Sequence, residues 1–140
     1  KKIGYSTGHF GKWHLNGIRG PGVPIFEDDE YGPGEFGFDK WLSVTNFFDI
    51  NPILADNGNI SKFKGTSSEI IVNNALEFIE KNINDNKPSF TVIWDGSPHD
   101  PFVATKDDKK DFKDFISLLE NTCELEAKYT QSVISFRKKV

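Results

Sequence analysis

The sequence predicts an α/β domain, and three observations carry that prediction. β-compatible residues around glycine occupy positions 3–15, near the start of the chain. A helical apolar stripe, Ile71, Ala75, Phe78 and Ile79, runs into a second extended segment, Ser89-Phe90-Thr91-Val92-Ile93-Trp94. Aromatic residues make up 14% of the chain, 13 of them Phe, which favours a packed interior over disorder. Strand, helix, strand, loop, helix is the order of an α/β layer, and such folds place ligands beyond the carboxyl ends of their strands.

The first strand is expected over residues 3–15, ending in Gly11-Lys12-Trp13-His14-Leu15. Residues 16–37 carry Gly20-Pro21-Gly22 and Gly32-Pro33-Gly34, whose breakers predict a long loop. A short strand is expected around residues 41–44. A helix should open at Gly65-Thr66-Ser67-Ser68-Glu69, where Thr66 with Glu69 three residues on fits a capping box. That helix should end near residues 82–86, before Lys87-Pro88. The apolar run at 89–94 reads as a strand buried on both faces. A loop at 95–105 holds Ser97-Pro98-His99-Asp100-Pro101, and one or two helices follow, with Leu125, Tyr129, Val133 and Phe136 as an apolar stripe.

The 140 residues are enough for one domain with a core. The net charge of −4 offers no concentrated basic face for nucleic acid or an anionic membrane. Arg137-Lys138-Lys139 reads as a solvated helix end. No apolar stretch approaches the roughly 20 residues that span a bilayer. The sequence has no Met and begins Lys-Lys-Ile-Gly-Tyr, as the middle of an element would, so a fragment is expected. The single Cys123 rules out an internal disulfide and a cysteine-based zinc site.

Lys12 and His14 stand two apart, so an extended segment would project them to one face and turn Trp13 into the core. A lysine point charge beside an imidazole donor makes a grip for a tetrahedral anion. A surface lysine and an incidental histidine would give the same spacing. His99 lies between Pro98 and Asp100-Pro101, and the flanking prolines restrict its backbone. A ring held there would donate to a leaving oxygen, or simply bond to Asp100.

Gly4-Tyr5-Ser6-Thr7-Gly8-His9-Phe10-Gly11-Lys12-Trp13-His14-Leu15 resembles the second signature of the sulfatases, a Gly-Tyr-x-Thr stretch running into Gly-Lys-Trp-His-Leu-Gly. Gly37-Phe38-Asp39-Lys40-Trp41 is similar to the family's Gly-Phe-Asp-x-Trp element, Lys87-Pro88 to its Lys-Pro-Phe-Phe segment, and Ser97-Pro98-His99-Asp100-Pro101 to its Pro-His-x-Pro loop. The matches fall in the family's order and span residues 4–103. The resemblance implies one partial catalytic domain over residues 1–140, of the alkaline-phosphatase and sulfatase type, with an incomplete sheet. It implies hydrolysis of sulfate esters, in small molecules or glycans, with a formylglycine made from Cys or Ser beside a calcium ion in the intact enzyme. Lys12 would contact the sulfate and the formylglycine hydroxyls, His14 would bond to a formylglycine hydroxyl, and His99 would contact the ester oxygen.

The family's Cys-x-Pro-x-Arg nucleophile motif does not occur here, and its early Asp-Asp metal pair would precede Lys1. Cys123 sits far downstream with Glu124-Leu125-Glu126 after it and reads as a packing thiol. Asp56-Asn57-Gly58 resembles a later metal motif of the family. It precedes the Pro-His-x-Pro loop instead of following it, and no apolar strand is expected to lead into it, so a surface turn is expected. Asp28-Asp29-Glu30 reads as solvated charge. Asn16 replaces the family's usual Gly and should change the turn rather than remove a contact. His9 falls on the Trp13 face and reads as structural.

The leading expectation is a segment of a sulfuric ester hydrolase, inactive alone. A non-catalytic remnant of a split or decayed gene keeping an anion site, or a related phosphoester or phosphonate hydrolase, are the alternatives. A slice of a larger sheet should also leave unpaired edges and exposed apolar helix faces, and hence low solubility.

Overall fold

The computed structural model describes residues 3–16, 22–46, 50–96, 105–110 and 112–113. The chain divides into two compact units, residues 1–96 and 97–140. The first carries five strands and a long helix. In the second, the described residues form the short helix α2 (Lys106–Lys110), with the Lys109 N–H donating to the Thr105 carbonyl.

Strand β1 (Ser6–Lys12) lies at the centre of a mixed sheet, between β2 (Lys40–Val44) and β5 (Ser89–Trp94), parallel to both. β3 (Ile53–Asp56) pairs antiparallel with β2, and β4 (Asn59–Lys62) with β3, which gives the order β4-β3-β2-β1-β5. The β3–β4 hairpin was not expected from the sequence. Asn57 and Gly58 form its two-residue turn with φ of 45° and 88°, the doubly left-handed geometry that matches the twist of a hairpin. Asp56-Asn57-Gly58 is therefore a turn, as expected. The expectation that no apolar strand leads into it is corrected, because Ile53-Leu54-Ala55 is that strand.

Helix α1 (Ser67–Asn84) is the crossover into β5. Thr66 occupies the N-cap position in an extended conformation, but no side-chain capping bond forms, so the expected capping box is absent. At the other end, Asn86 takes φ 54°. Its N–H donates to the Ile83 carbonyl at 3.0 Å, and the Lys87 N–H donates to the Asn82 carbonyl at 2.8 Å. These two bonds satisfy the last helical carbonyls and turn the chain toward β5.

Alternation along the strands splits the core into two layers. Phe10, Leu42, Val44 and Leu54 pack on Ile70, Ile71 and Ala75 of α1, with Phe63 and Phe78 at the border. Trp13, Ile25, Trp41 and Ala55, with Phe38, fill the opposite face. Ile25 is fully buried although it belongs to the Gly/Pro-rich loop, which thus covers the sheet. Each fully buried Val, Leu, Ile or Phe side chain contributes roughly 1.5–3 kcal/mol. β5 departs from expectation. Its apolar run lies at the edge of the sheet, with Phe90, Ile93 and Trp94 exposed, and no strand among the described residues pairs with its outer side.

Candidate active site

The parallel pairing brings the carboxyl ends of three strands together. In register, Lys12 faces Val44 and Gly11 faces Trp94. Gly11 takes φ 113°, and a Cβ built there would lie 2.0 Å from the Trp94 carbonyl oxygen, so only glycine permits this approach of β1 to β5.

Beyond Lys12 the chain leaves the strand but stays bonded to the end of β2. The Trp13 N–H donates to the Val44 carbonyl at 2.8 Å, and the His14 N–H donates to the Thr45 carbonyl. Trp13 is buried between Lys12 and His14, and its indole N–H donates to the Tyr31 carbonyl at 2.6 Å. Trp13 is turned into the core, as expected. The extended geometry expected through Leu15 does not hold, since His14 has φ 54°, in the left-handed region. Strand alternation therefore does not set the direction of the His14 side chain. Lys12 is half-buried and His14 exposed. The turn after His14 is tied down by Asn16, whose Nδ2 donates to Thr45 Oγ1 at 3.2 Å.

His9 is fully enclosed, as expected of a structural residue. Its ring meets Trp13, Phe38 and Trp94 at centroid distances of 4.8, 5.4 and 5.0 Å, and its Nδ1 lies 2.7 Å from Ser43 Oγ. Burial lowers its pKa to about 4, so the ring is neutral near pH 7.

β5 leads into the Pro-His-x-Pro stretch. Asp95, one residue beyond β5, accepts from the Ser68 hydroxyl, with its carboxylate oxygens at 2.9 and 3.0 Å, so the end of this strand is tied to the first turn of α1. His99 and its prolines lie outside the described residues, as do Cys123 and the expected stripe from Leu125 to Phe136. The Asp95–Ser68 and Asn16–Thr45 contacts were missed by sequence reasoning. An acidic residue closing an apolar strand was the signal available for the first, and Asn in place of Gly for the second.

Two further acidic residues have structural duties. Asp56, at the end of β3, pairs with Lys40 at the start of β2. Asp29, expected to be solvated charge, instead accepts the Phe26 N–H at 2.9 Å and holds a turn. Among the described residues, no group of three or more His, Cys, Asp or Glu could hold a metal ion. No helix among them is long and apolar enough to cross a membrane. A cleft of about 550 Å³ opens elsewhere, at the amino ends of β1 and β2, lined by Ser6 and Lys40 of the strands, by Glu77, Lys81 and Asp85 along α1, and by Lys87. Its mixed charges and its place at the wrong end of the parallel strands separate it from Lys12 and His14.

The family described as Sulfatase matches residues 1–133. An ulvan-active sulfatase of Formosa agariphila is 33% identical over 126 residues, covering 86% of this chain and 23% of the relative. A protein solved in complex with its substrate, D-glucosamine-2-N,6-O-disulfate, superposes with a TM-score of 0.58 at 25% identity, covering 82% of this chain and 21% of that one. Ps i-CgsB superposes with a TM-score of 0.64 at 20% identity, covering 92% of this chain and 30% of that one, a likeness of fold. The chain thus spans about a quarter of the curated relative's length.

Proposed function

This chain belongs to the sulfatase family, and from that premise we propose that it is a segment of a sulfuric ester hydrolase acting on a sulfated sugar, with Lys12, His14 and His99 as the groups that handle the ester. The observation that carries the proposal is the seat of Gly11-Lys12-Trp13-His14. The family's signature runs off the central parallel strand with its tryptophan buried, at the end of the sheet where α/β folds bind ligands. The sugar is favoured by two relatives, one named for activity on ulvan and one solved with a disulfated glucosamine.

Sulfatases generally depend on a formylglycine and a metal ion. The described residues fit neither, since no metal-holding cluster occurs among them and the sequence contains no Cys-x-Pro-x-Arg motif. The chemistry assigned to this chain is confined to the ester itself. The Lys12 ammonium would sit against the sulfate oxygens and stabilise their charge while a nucleophile supplied by the rest of the parent polypeptide bonds to sulfur and the bond to the sugar oxygen breaks. His14 supplies a second donor on the same group. His99 passes a proton to the departing sugar oxygen, which leaves as a neutral hydroxyl.

The test is sulfate release from a sulfated monosaccharide, measured for the full-length parent polypeptide and for this 140-residue chain. The parent is expected to turn over, and Lys12→Ala, His14→Ala or His99→Ala in it should each cost on the order of a hundredfold or more in kcat/KM. The chain alone should be silent. A parent indifferent to all three substitutions, or one that prefers phosphate esters, overturns the reading.

A further inference from the structure

We infer that Thr45 and Asn16 form a clamp that positions His14, an inference that rests on the reading of His14 as a sulfate-contacting group. Three bonds converge on Thr45, which is itself fully buried. Its carbonyl accepts the His14 N–H, its hydroxyl accepts from Asn16 Nδ2 at 3.2 Å, and its own N–H donates to the Val23 carbonyl at 3.1 Å. Val23 therefore fixes Thr45 from one side while Thr45 fixes residues 14 and 16 from the other.

His14 needs such a hold. A non-glycine residue at φ 54° is strained and persists where its surroundings over-determine it. One main-chain bond from His14 leaves the following turn free to swing. The Asn16 amide closes that turn onto the same residue, and its enclosed Oδ1 has no hydrogen-bond partner among the described residues, where Thr45 is the contact that orients the side chain. The sulfatase signature usually has Gly at this position, which carries no side chain for such a tether. The clamp is thus particular to a chain with Asn16.

The experiment uses the full-length parent polypeptide, isotopically labelled at histidine. The three-bond HN–Hα coupling and carbon shifts of His14 report its φ without any ligand. Titration with inorganic sulfate, followed at the His14 imidazole, reports its use. In the wild type, and in Thr45→Ser, which keeps the hydroxyl, His14 should be left-handed and sulfate binding equal. Thr45→Val and Asn16→Gly each remove the same hydrogen bond, one in the interior and one in the turn. Both should release His14 toward averaged values and weaken sulfate binding about fivefold, the worth of one neutral hydrogen bond. A left-handed His14 with wild-type sulfate affinity in both variants overturns the clamp. If instead wild type and Lys12→Ala alike ignore sulfate while Thr45→Val still frees His14, the clamp stands and the proposed function falls.

Discussion

Thr7 and Asp39 are 32 residues apart and bind each other in both directions. The Thr7 N–H donates to Asp39 Oδ2 at 3.1 Å, and the Asp39 N–H donates to the Thr7 carbonyl at 2.9 Å. The Thr7 hydroxyl lies 2.7 Å from the Gly37 carbonyl and 2.9 Å from the same Asp39 oxygen. The threonine of one sulfatase motif and the aspartate of the next thus set the start of β1 against the start of β2. That register carries through to Lys12 opposite Val44. Asp39→Ala should destabilise the sheet by about 1–2 kcal/mol, since it removes the acceptor of the Thr7 N–H and one of the two partners of the Thr7 hydroxyl at a partly exposed site. Thr7→Val should cost less, and a double-mutant cycle in urea should show the two coupled. Additive effects would mean that the pair does not set the register.

His9 gives the fold a pH dependence. Its pKa falls from 6.5 to about 4 because burial among aromatic rings penalises the charged form. The unfolded chain therefore takes up this proton more readily than the folded chain. The stabilisation is complete above pH about 6.5 and is lost as the pH falls toward 4, by roughly 3 kcal/mol at most. Urea midpoints of wild type and His9→Asn should converge between pH 7 and pH 4, a comparison in which the carboxylates common to both cancel. Parallel curves would show that the ring charges without penalty.

Periodicity made part of this architecture legible. The i, i+4, i+7 spacing of α1 and the Lys87-Pro88 stop place the helix within two residues of its observed bounds, because both signals act locally. The hairpin escaped notice because β3 and β4 are four residues each, and β4 is exposed along its whole length, so no alternation marks it. β5 misled in the other direction. An apolar run says that a strand can be buried on both faces, while its place in the sheet is set by pairing with β1, 80 or so residues away in sequence. At the site, Lys12 and His14 stood out by spacing and by the family signature. The left-handed turn at His14 did not, since it depends on Thr45, more than two dozen residues on, and no local pattern encodes such a contact.

Gly58 tests the hairpin. At φ 88° an L side chain is strained, and a Cβ there would come within 2.5–2.8 Å of Glu27, including its backbone. Gly58→Ala should cost about 1–3 kcal/mol, whereas a freely solvated turn would lose only the smaller left-handed penalty. The urea midpoint separates the two, and a loss below about 1 kcal/mol would show that the loop holding Glu27 does not pack on the turn.

Helix α1 carries a second apolar stripe, turned away from the sheet. Val72, Leu76 and Ile83 are exposed, with Ile83 at 68%, and Ile79 stands between them at helical spacing. Phe90, Ile93 and Trp94 add an exposed apolar edge on β5, whose outer backbone groups have no strand beside them among the described residues. An edge and a stripe of this kind invite association between copies. The 140-residue chain should therefore self-associate at micromolar concentration, and the effect should be concentration-dependent in light scattering. Leu76→Lys with Ile83→Lys should raise the monomer fraction without lowering stability, because neither side chain is buried in the core. A chain that stays monomeric, with a sharp melt that these substitutions leave unchanged, would mean that the apolar stripe of α1 drives no association.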